Sequence, residues 1–296
     1  MEQETTEKQT MNFHDKYYKL LLLIPAILVV LSLIYMVNFY NQNNDFVYKD
    51  ISLTGGTTVT IYESFEISKL EKDLSGSLNN LNIREISDLL TNEQKAVIIE
   101  TTSSGDETRQ VLENYFGYEL TEDNSSFEFT GSTLSESFYK QLLIAILFAF
   151  VLMAIVVFII FRTFVPSTAV IISAFADILM TLVLVNLFGM KISSAGIVAF
   201  LMLIGYSVDT DILLTTRILK RKEGNLNQRI FGAFKTGITM TLTSLLAVLF
   251  ALFVVKSFSI VLSQIFIILS IGLGFDILNT WITNVSILKW YVKKND

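Results

Sequence analysis

The sequence predicts an α-helical polytopic membrane protein with six transmembrane helices and an α+β domain between the first and second helices. Two observations predict this fold class. Of the 296 residues, 52% are hydrophobic, which is a high fraction for a soluble domain. The apolar residues are also concentrated in runs that reach the roughly 20 residues needed to cross a bilayer, whereas residues 41–138 are polar and mixed.

Apolar runs of sufficient length define the predicted spans, which are Leu20–Tyr40, Gln141–Phe161, Ser167–Phe188, Ile192–Thr216, Gly237–Val255 and Phe258–Leu288. The first is interpreted as a retained anchor rather than a cleaved signal peptide. Its apolar run is longer than a signal core, and no small-x-small cleavage site follows it. The last run is long, which indicates a tilted helix or leaves its ends undetermined.

Basic residues predict the orientation, because short cytoplasmic loops carry an excess of Lys and Arg. Residues 41–138 hold 18 Asp and Glu against 6 Lys and Arg. The loop 217–236 is basic instead, through Arg217, Lys220, Arg221, Lys222, Arg229 and Lys235. We therefore expect a multi-pass protein of the cytoplasmic membrane. Its tails at 1–19 and 289–296 would be cytoplasmic, and the domain 41–138 would be extracytoplasmic.

The polar block alternates between strand and helix periodicity. The predicted order is strand Thr57–Tyr62, helix Ser68–Leu81, strands Asn82–Leu89 and Lys95–Thr101, helix Asp106–Phe116, and a last strand within Tyr118–Phe129. The order β-α-β-β-α-β is that of a ferredoxin-like unit, with two helices on an antiparallel sheet. Gly55-Gly56 is expected to form a turn before the first strand, since two glycines are too little for a nucleotide-binding motif.

Several function classes are excluded by composition. The chain has no cysteine and a single histidine, His14, which lies in a polar tail. Disulfides, thiolate zinc sites and a cysteine nucleophile are therefore excluded, and a histidine metal cluster is not expected. The polar block shows no nucleophile–base pair and no phosphate loop, so we expect no enzyme activity and no cofactor. Nucleic acid is not an expected partner, because no basic groove is interleaved with aromatic residues.

Asp177, Asp209 and Asp276 lie inside three different predicted spans, and Asp211 lies close to Asp209 in the same span. An ionisable group in hydrocarbon is costly, so each of them is by default a functional-site hypothesis. Ser173 and Thr181 share a helical face with Asp177, which indicates a polar stripe toward the bundle. These positions favour a coupled role in which the carboxyl groups exchange protons. The alternative is that they are neutral and only form hydrogen bonds between helices.

A fourth carboxylate, Asp211, lies two positions after Asp209. Two residues at this spacing point to different sides of a helix, so both cannot face one site. We expect Asp211 to be a helix-end residue near water. Polar residues also follow Asp276 on one side of its span, with Asn279, Thr280, Thr283 and Asn284.

Several stretches together resemble the archaeal form of the SecF family of protein-export membrane subunits. They are Leu53–Thr57 with the pair Gly55-Gly56, Gly131–Phe138 followed by Gln141, Ala176-Asp177, Leu187–Gly189, and Gly205–Leu214 followed by Thr216–Ile218. The string that begins Gly205-Tyr206-Ser207 is the most specific. The resemblance extends from Leu20 to Trp290.

The resemblance implies one half of an RND-type transporter bundle that pairs with a SecD subunit to give a twelve-span complex. It also implies that the complex uses the proton gradient to promote late steps of protein export near the SecY channel, with external domains that engage the emerging polypeptide. Asp209, Asp177 and Asp276 would then be the proton-coupling residues. Weaker candidates are Asp211, Arg217 and Lys235. The glycine pair and Gly205-Tyr206-Ser207 would be structural motif residues.

Two positions depart from the bacterial pattern of the family. Asp209 and Thr210 stand where that pattern has asparagine and aspartate. The fifth span, in which the bacterial pattern has an arginine on the proton path, has no basic residue, and Lys235 lies at its cytoplasmic mouth. An Asp–Arg relay therefore does not carry over directly, and the sequence leaves proton and sodium coupling both open.

Two alternative functions belong to different classes. One is an RND-like half-unit that exports a small molecule or a lipid, which would require a second large external domain or a tandem repeat. The other is a passive scaffold that stabilises the translocon, which would tolerate neutralisation of all three aspartates. The basic loop is expected to fix topology and to contact anionic membrane lipids rather than a ribosome.

Overall fold

A computed structural model describes residues 17–88, 91, 93–220, 224–257 and 259–295. The helices are α1 (Leu23–Asn43), α2 (Ile51–Thr54), α3 (Ile67–Leu74), α4 (Gly105–Phe116), α5 (Ser132–Phe161), α6 (Phe164–Leu187), α7 (Ser194–Lys220), α8 (Leu226–Val255), α9 (Ile260–Leu278) and α10 (Val285–Asn295). The strands are β1 (Tyr48–Lys49), β2 (Gly56–Ile61), β3 (Asn82–Ser87), β4 (Gln94–Thr101), β5 (Ser125–Thr130) and β6 (Lys191–Ile192). His14, the single histidine of the polar tail, lies outside the described residues.

Six helices in the described part of the chain are long and apolar enough to cross a membrane, as the sequence predicted. Their ends differ from the predicted ones. Helix α8 begins at Leu226, inside the predicted basic loop, because Asn225 and Gln228 form a reciprocal capping box there. The last span runs from Ile260 to Lys294, beyond the predicted end at Leu288. The helix therefore extends beyond the apolar run both at the start of α8 and at the end of the last span.

Helices α6 and α7 form the centre of the bundle. In their most apolar windows 61% and 56% of residues are buried, against 6% for α5 and 11% for α8. Helix α9 packs against α6, α7 and α8. Its contact with α7 is close at Gly272, where an added Cβ would lie 2.4 Å from the Leu203 side chain. The outer helices α1, α5 and α8 thus present most of their apolar surface to the surroundings of the chain.

The α+β domain contains a four-stranded antiparallel sheet in the order β3-β4-β2-β5. Alternate strand residues such as Val59 and Ile99 pack with Leu70, Leu74 and Leu112 of the two helices. The predicted order of elements is therefore present. The first helix is shorter than the predicted Ser68–Leu81, but Leu78 after its end still joins this core, which explains the apolar spacing.

The glycine pair at the start of β2 has a steric role, and its second member is the first residue of the strand rather than part of the predicted turn. Gly55 has a φ of +80° and Gly56 a φ of +146°, values that other residues rarely adopt. A Cβ on Gly55 would lie 2.5 Å from the Ser132 backbone at the start of α5, and one on Gly56 would lie 2.3 Å from the Thr101 carbonyl oxygen. The pair thus lets three backbone segments meet where the domain joins the bundle.

The joint between the domain and the bundle is built from backbone pairing. Strands β1 and β6 form a short parallel ladder in which Tyr48 pairs with Lys191. The Asp50 amide donates to the Ile192 carbonyl at 3.0 Å, and the Ser87 amide donates to the Ser257 carbonyl at 3.2 Å. These contacts connect the domain to the α6–α7 and α8–α9 turns.

A charged cluster covers this joint. The Arg84 guanidinium lies 3.3 Å from the Asp50 carboxylate and 2.9 Å from that of Glu100. Asn82 also donates to Glu100, at 2.6 Å. Burial raises the pKa of the Glu100 carboxyl group above its ordinary value, and the nearby Asp50 charge raises it further, while Arg84 opposes both effects.

We predict that this buried carboxyl group makes the stability of the protein fall as pH rises. The folded state binds the Glu100 proton more tightly than the unfolded state does, so stability is lost from the ordinary value of 4.5 upward, until Glu100 is ionised. Glu100→Gln should flatten this part of the Tm–pH profile of the chain in detergent. Glu128→Gln changes an exposed acid of the same sheet and is the matched control. An unchanged slope in Glu100→Gln would contradict the assignment.

Candidate functional site

Three carboxyl groups from three different helices meet inside the membrane bundle. Asp177 comes from α6, Asp211 from α7 and Asp276 from α9, and each residue is 0% exposed. No salt bridge in the described part of the chain includes any of them. We call these three residues the carboxyl cluster. Its charges are not compensated by a basic side chain, so hydrogen bonds must stabilise it.

Asp177 is held by two neighbouring helices. The Ser207 hydroxyl of α7 donates to its Oδ2 at 2.5 Å, and Asn279 Nδ2 donates to its Oδ1 at 2.7 Å. Asn279 is itself fixed, because its Oδ1 accepts a hydrogen bond of 3.2 Å from Thr283. The carboxyl group of α6 therefore links α7 to the last span.

The other two carboxyl groups share one hydroxyl. Thr280 Oγ1 lies 2.8 Å from Asp211 Oδ1 and 3.1 Å from Asp276 Oδ1. A hydroxyl has one proton to donate and otherwise accepts. Both contacts can be hydrogen bonds only if one of the two carboxyl groups donates a proton to Thr280. This geometry fits a cluster that holds at least one proton.

Further polar groups complete the surroundings of the cluster. Asn284 Nδ2 donates to Asp211 Oδ1 at 2.7 Å, while no hydrogen bond among the described residues reaches the buried Asp211 Oδ2. Thr241 of α8 donates to Asp276 Oδ2 at 3.4 Å and lies 3.5 Å from the Thr210 hydroxyl of α7. Four helices thus contribute polar atoms to one buried network.

Local helix geometry explains why these side chains converge. Ser207 and Asp211 lie one turn apart on α7, so both face α6 and α9. Between α9 and α10 the chain is π-helical over Asn279–Asn284. A π turn shifts the register of side chains, and such turns are frequent at functional sites. Here it brings Asn279, Thr280 and Asn284 to the cluster together.

The structure corrects two expectations about α7. Asp211 is not a helix-end residue near water, because α7 continues to Lys220 and Asp211 is fully buried. Asp209 is exposed on the other side of the helix rather than turned into the bundle. The expectation that the two cannot face one site is confirmed. Asp177 and Asp276 do come together, but with Asp211 in place of Asp209.

The two basic candidates lie away from the carboxyl cluster. The Arg217 guanidinium donates to the Gly232 carbonyl of α8, near the end of the bundle opposite to the α+β domain. Lys235 is exposed. Among the described residues there is no group of three or more His, Cys, Asp or Glu that could hold a metal ion. The site is therefore a network of acids, hydroxyls and amides.

The exposed side of α7 carries the family-motif residues Gly205 and Tyr206 together with Asp209. Met202 and Tyr206, one turn apart, are 42% and 41% exposed. Ser207, the third motif residue, turns inward to Asp177 instead. The motif thus contributes to two faces of α7. Ser207 lies on the buried polar face, and Gly205 and Tyr206 lie on the exposed face beside Asp209.

Comparison with known proteins places most of the chain in the family that its sequence motifs resemble. Residues 110–294 match the family model for the C-terminal part of the protein export membrane proteins SecD/SecF. The protein-export membrane protein SecF of Methanocaldococcus jannaschii is 40% identical over 284 residues, which are 94% of this chain and 96% of that one. SecF of Methanothermobacter thermautotrophicus is 39% identical over 94% of both chains.

Solved structures share the fold. The crystal structure of SecDF from Thermus thermophilus, described as a translocon-associated membrane protein, superposes with a TM-score of 0.71 at 20% identity over 95% of this chain. SecDF in its super-membrane-facing form gives a TM-score of 0.60 at 18% identity over 92% of this chain. This chain spans only 38% of the length of either SecDF chain.

The helical bundle with an inserted α+β domain is a fold that this chain shares with SecDF, and residues 110–294 place the chain in the SecD/SecF class of protein-export membrane proteins. Within that class, identities of 40% and 39% over nearly the whole chain are to archaeal SecF proteins. The chain belongs to the SecF family.

The Thr280 hydroxyl, which contacts both Asp211 and Asp276, should contribute measurably to the stability of the fold. Thr280→Val would leave Asp211 and Asp276 each without one hydrogen-bond partner in a buried site, at a cost of about 1–3 kcal/mol per group. The Tm of the purified chain should fall by several degrees. Thr243→Val is the matched control, since Thr243 is exposed and bonds only to the Thr239 carbonyl one turn back. Equal Tm values for both variants would show that Thr280 does not bridge the carboxyl groups.

Proposed function

We propose that this chain is the SecF-type half of a protein-export complex that works with a SecD-type half and couples export across the cytoplasmic membrane to the proton gradient. The observation that carries the proposal is the carboxyl cluster, in which the Thr280 hydroxyl bridges Asp211 and Asp276. The arrangement requires a bound proton to satisfy both contacts. A buried acid network of this kind is typical of proton relays in membrane proteins.

Proton loss would change the packing of the last span. With a proton, Thr280 bonds both Asp211 of α7 and Asp276 of its own span. Without it, one carboxylate loses that bond and the two negative charges repel each other. The π-helical segment Asn279–Asn284 can absorb such a change by a shift in register. Protonation would thereby favour one of two helix packings.

A continuous set of contacts leads from the cluster to the α+β domain. Asp276 and Gln264 lie on α9 twelve residues apart, or about 18 Å along the axis. Gln264 Nε2 donates to the Lys191 carbonyl at 2.5 Å, and its Oε1 accepts from the Ser193 amide at 2.9 Å. Because β6 pairs with β1, a tilt of α9 would move the joint that holds the domain.

The proposal also assigns a side of the membrane to the termini and to the α+β domain. The α+β domain would be a ferredoxin-like unit on the extracytoplasmic side, both termini would be cytoplasmic, and the domain would engage the translocating polypeptide near the SecY translocon. The β-α-β-β-α-β order and the acidic composition of residues 41–138 support this. We propose a mechanical rather than an enzymatic role.

The exposed face of α7 is the proposed contact surface for the SecD-type partner. A carboxylate such as Asp209 that faced lipid would be costly, so a polar or basic group of another protein is expected to cover it. Gly205 leaves room for close approach of a second helix, since an added Cβ there would meet no atom of the described residues within 4 Å. Tyr206 adds aromatic surface beside it.

The coupling role is tested with Asp211→Asn in the complex with its SecD-type partner. In membrane vesicles, stimulation of export by a proton gradient should fall to the level seen with a protonophore, because the cluster can no longer exchange that proton. Asp123→Asn, an exposed acid of the α+β domain, is the control. Gradient stimulation that survives in Asp177→Asn, Asp211→Asn and Asp276→Asn combined would show that the carboxyl cluster does not couple export to the gradient, whereas unchanged export with no gradient stimulation in any variant would favour the passive scaffold. Stimulation by a sodium gradient alone would overturn proton coupling.

The partner surface is tested separately. Asp209→Leu should lower the amount of SecD-type subunit that co-purifies with the chain by about tenfold, while the Tm of the chain alone stays the same or rises. Phe250→Ala removes another exposed side chain, 70% exposed on α8, and should leave co-purification unchanged. A full yield of partner with Asp209→Leu would exclude this face.

A further inference from the structure

A groove of about 350 Å³ opens at the joint between the α+β domain and the bundle. Its polar wall contains Arg84 of β3, Lys191 of β6 and Lys256 after α8. Its apolar wall contains Met190, Ile260 and Ile267. None of the described residues that line it is acidic. The volume lies within the range of pockets that hold small ligands.

Two of the cations are available to a ligand. Arg84 is engaged by Asp50 and Glu100. Lys191 and Lys256 form no salt bridge in the part of the chain that the structure describes, although Lys191 is near enough to Glu100 to interact with its charge. The ammonium groups of Lys191 and Lys256, which both line the groove, favour the binding of an anion there.

The position of both lysines is fixed by the backbone. Lys191 pairs with Tyr48 across the β1–β6 ladder, and its carbonyl accepts the Gln264 amide at 2.5 Å. Lys256 ends α8, where its amide donates to the Leu252 carbonyl at 3.0 Å. The two lysines therefore come from turns at the same end of the bundle, where the apolar runs of the helices stop.

The apolar wall extends from this level into the membrane. Ile260 and Ile267 lie seven residues apart on the same face of α9, which corresponds to about 10 Å along the helix. A free phosphate ion would use the lysines but would leave this wall uncovered. A lipid would use both, with its headgroup at the lysines and an acyl chain along α9.

We propose that the groove binds an anionic membrane lipid, with the headgroup phosphate between Lys191 and Lys256 and one chain against Ile260 and Ile267. Basic pockets between membrane helices are known to bind anionic headgroups in this way. The bound lipid would bridge the α6–α7 and α8–α9 turns next to the joint with the domain. The site does not depend on the carboxyl cluster or on the partner surface.

The proposal is tested on the full chain in detergent micelles, by native mass spectrometry during titration with phosphatidylglycerol or phosphatidylcholine. The unmodified chain should retain phosphatidylglycerol at least tenfold more tightly than phosphatidylcholine. Lys191→Gln with Lys256→Gln should abolish that preference, since each lysine near an anionic headgroup contributes several-fold in affinity. Lys69→Gln with Lys72→Gln removes the same charge from the exposed surface of α3 and is the matched control.

Each outcome decides the proposal. Equal retention of the two lipids by the unmodified chain would overturn it, and this arm needs no folded variant. Displacement of phosphatidylglycerol by millimolar inorganic phosphate would assign the site to a free anion and would also overturn it. Ile267→Ser should weaken lipid retention with both lysines still present. Unchanged retention in that variant would contradict the placement of the chain along α9.

Discussion

Three carboxyl groups are buried with no basic partner among the described residues, and this is the constraint on which the membrane bundle depends. Asp177, Asp211 and Asp276 come from three helices, so their hydrogen bonds fix how those helices pack. Each bond made in a medium of low dielectric constant is strong, and each missing bond is expensive. The Thr280 hydroxyl between two carboxyl oxygens makes this network sensitive to a single proton. In the proposed mechanism, the constraint that holds the bundle together would also give it two packings.

The last span connects the features of the molecule that a transport role requires. Its π-helical segment supplies Asn279, Thr280 and Asn284 to the carboxyl cluster. Its first turns hold Gln264, which fixes β6 and through it the joint with the α+β domain. The groove proposed to bind lipid lies along the same turns. A change in the tilt of the last span would thus alter the contacts of the carboxyl cluster, of the α+β domain and of the surrounding lipid together.

The candidate site was partly predictable from particular residues. Asp177 and Asp276 each have polar neighbours one helical turn away, and that pattern correctly indicates a polar face toward other helices. Sequence reasoning misassigns Asp211, because the basic residues that begin at Arg217 suggest a membrane boundary close by. Ser207, Thr210 and Asp211 form a small polar stripe that could have identified the buried face of α7. Thr241 could not have been found, since only the packing of α8 against α9 brings it to Asp276.

The sequence by itself determined the number of spans, the order of elements in the inserted domain and the family, because length, periodicity and motif strings are local properties of a chain. Which of Asp209 and Asp211 faces the cluster was decided only by tertiary structure. Both sit on one helix in the same motif, and the rotation of that helix depends on neighbours that lie far away in sequence. The contact between Thr280 and Asp211, 69 positions apart, and the meeting of Lys191 with Lys256 at one groove arise in the same way, since only folding brings these residues together.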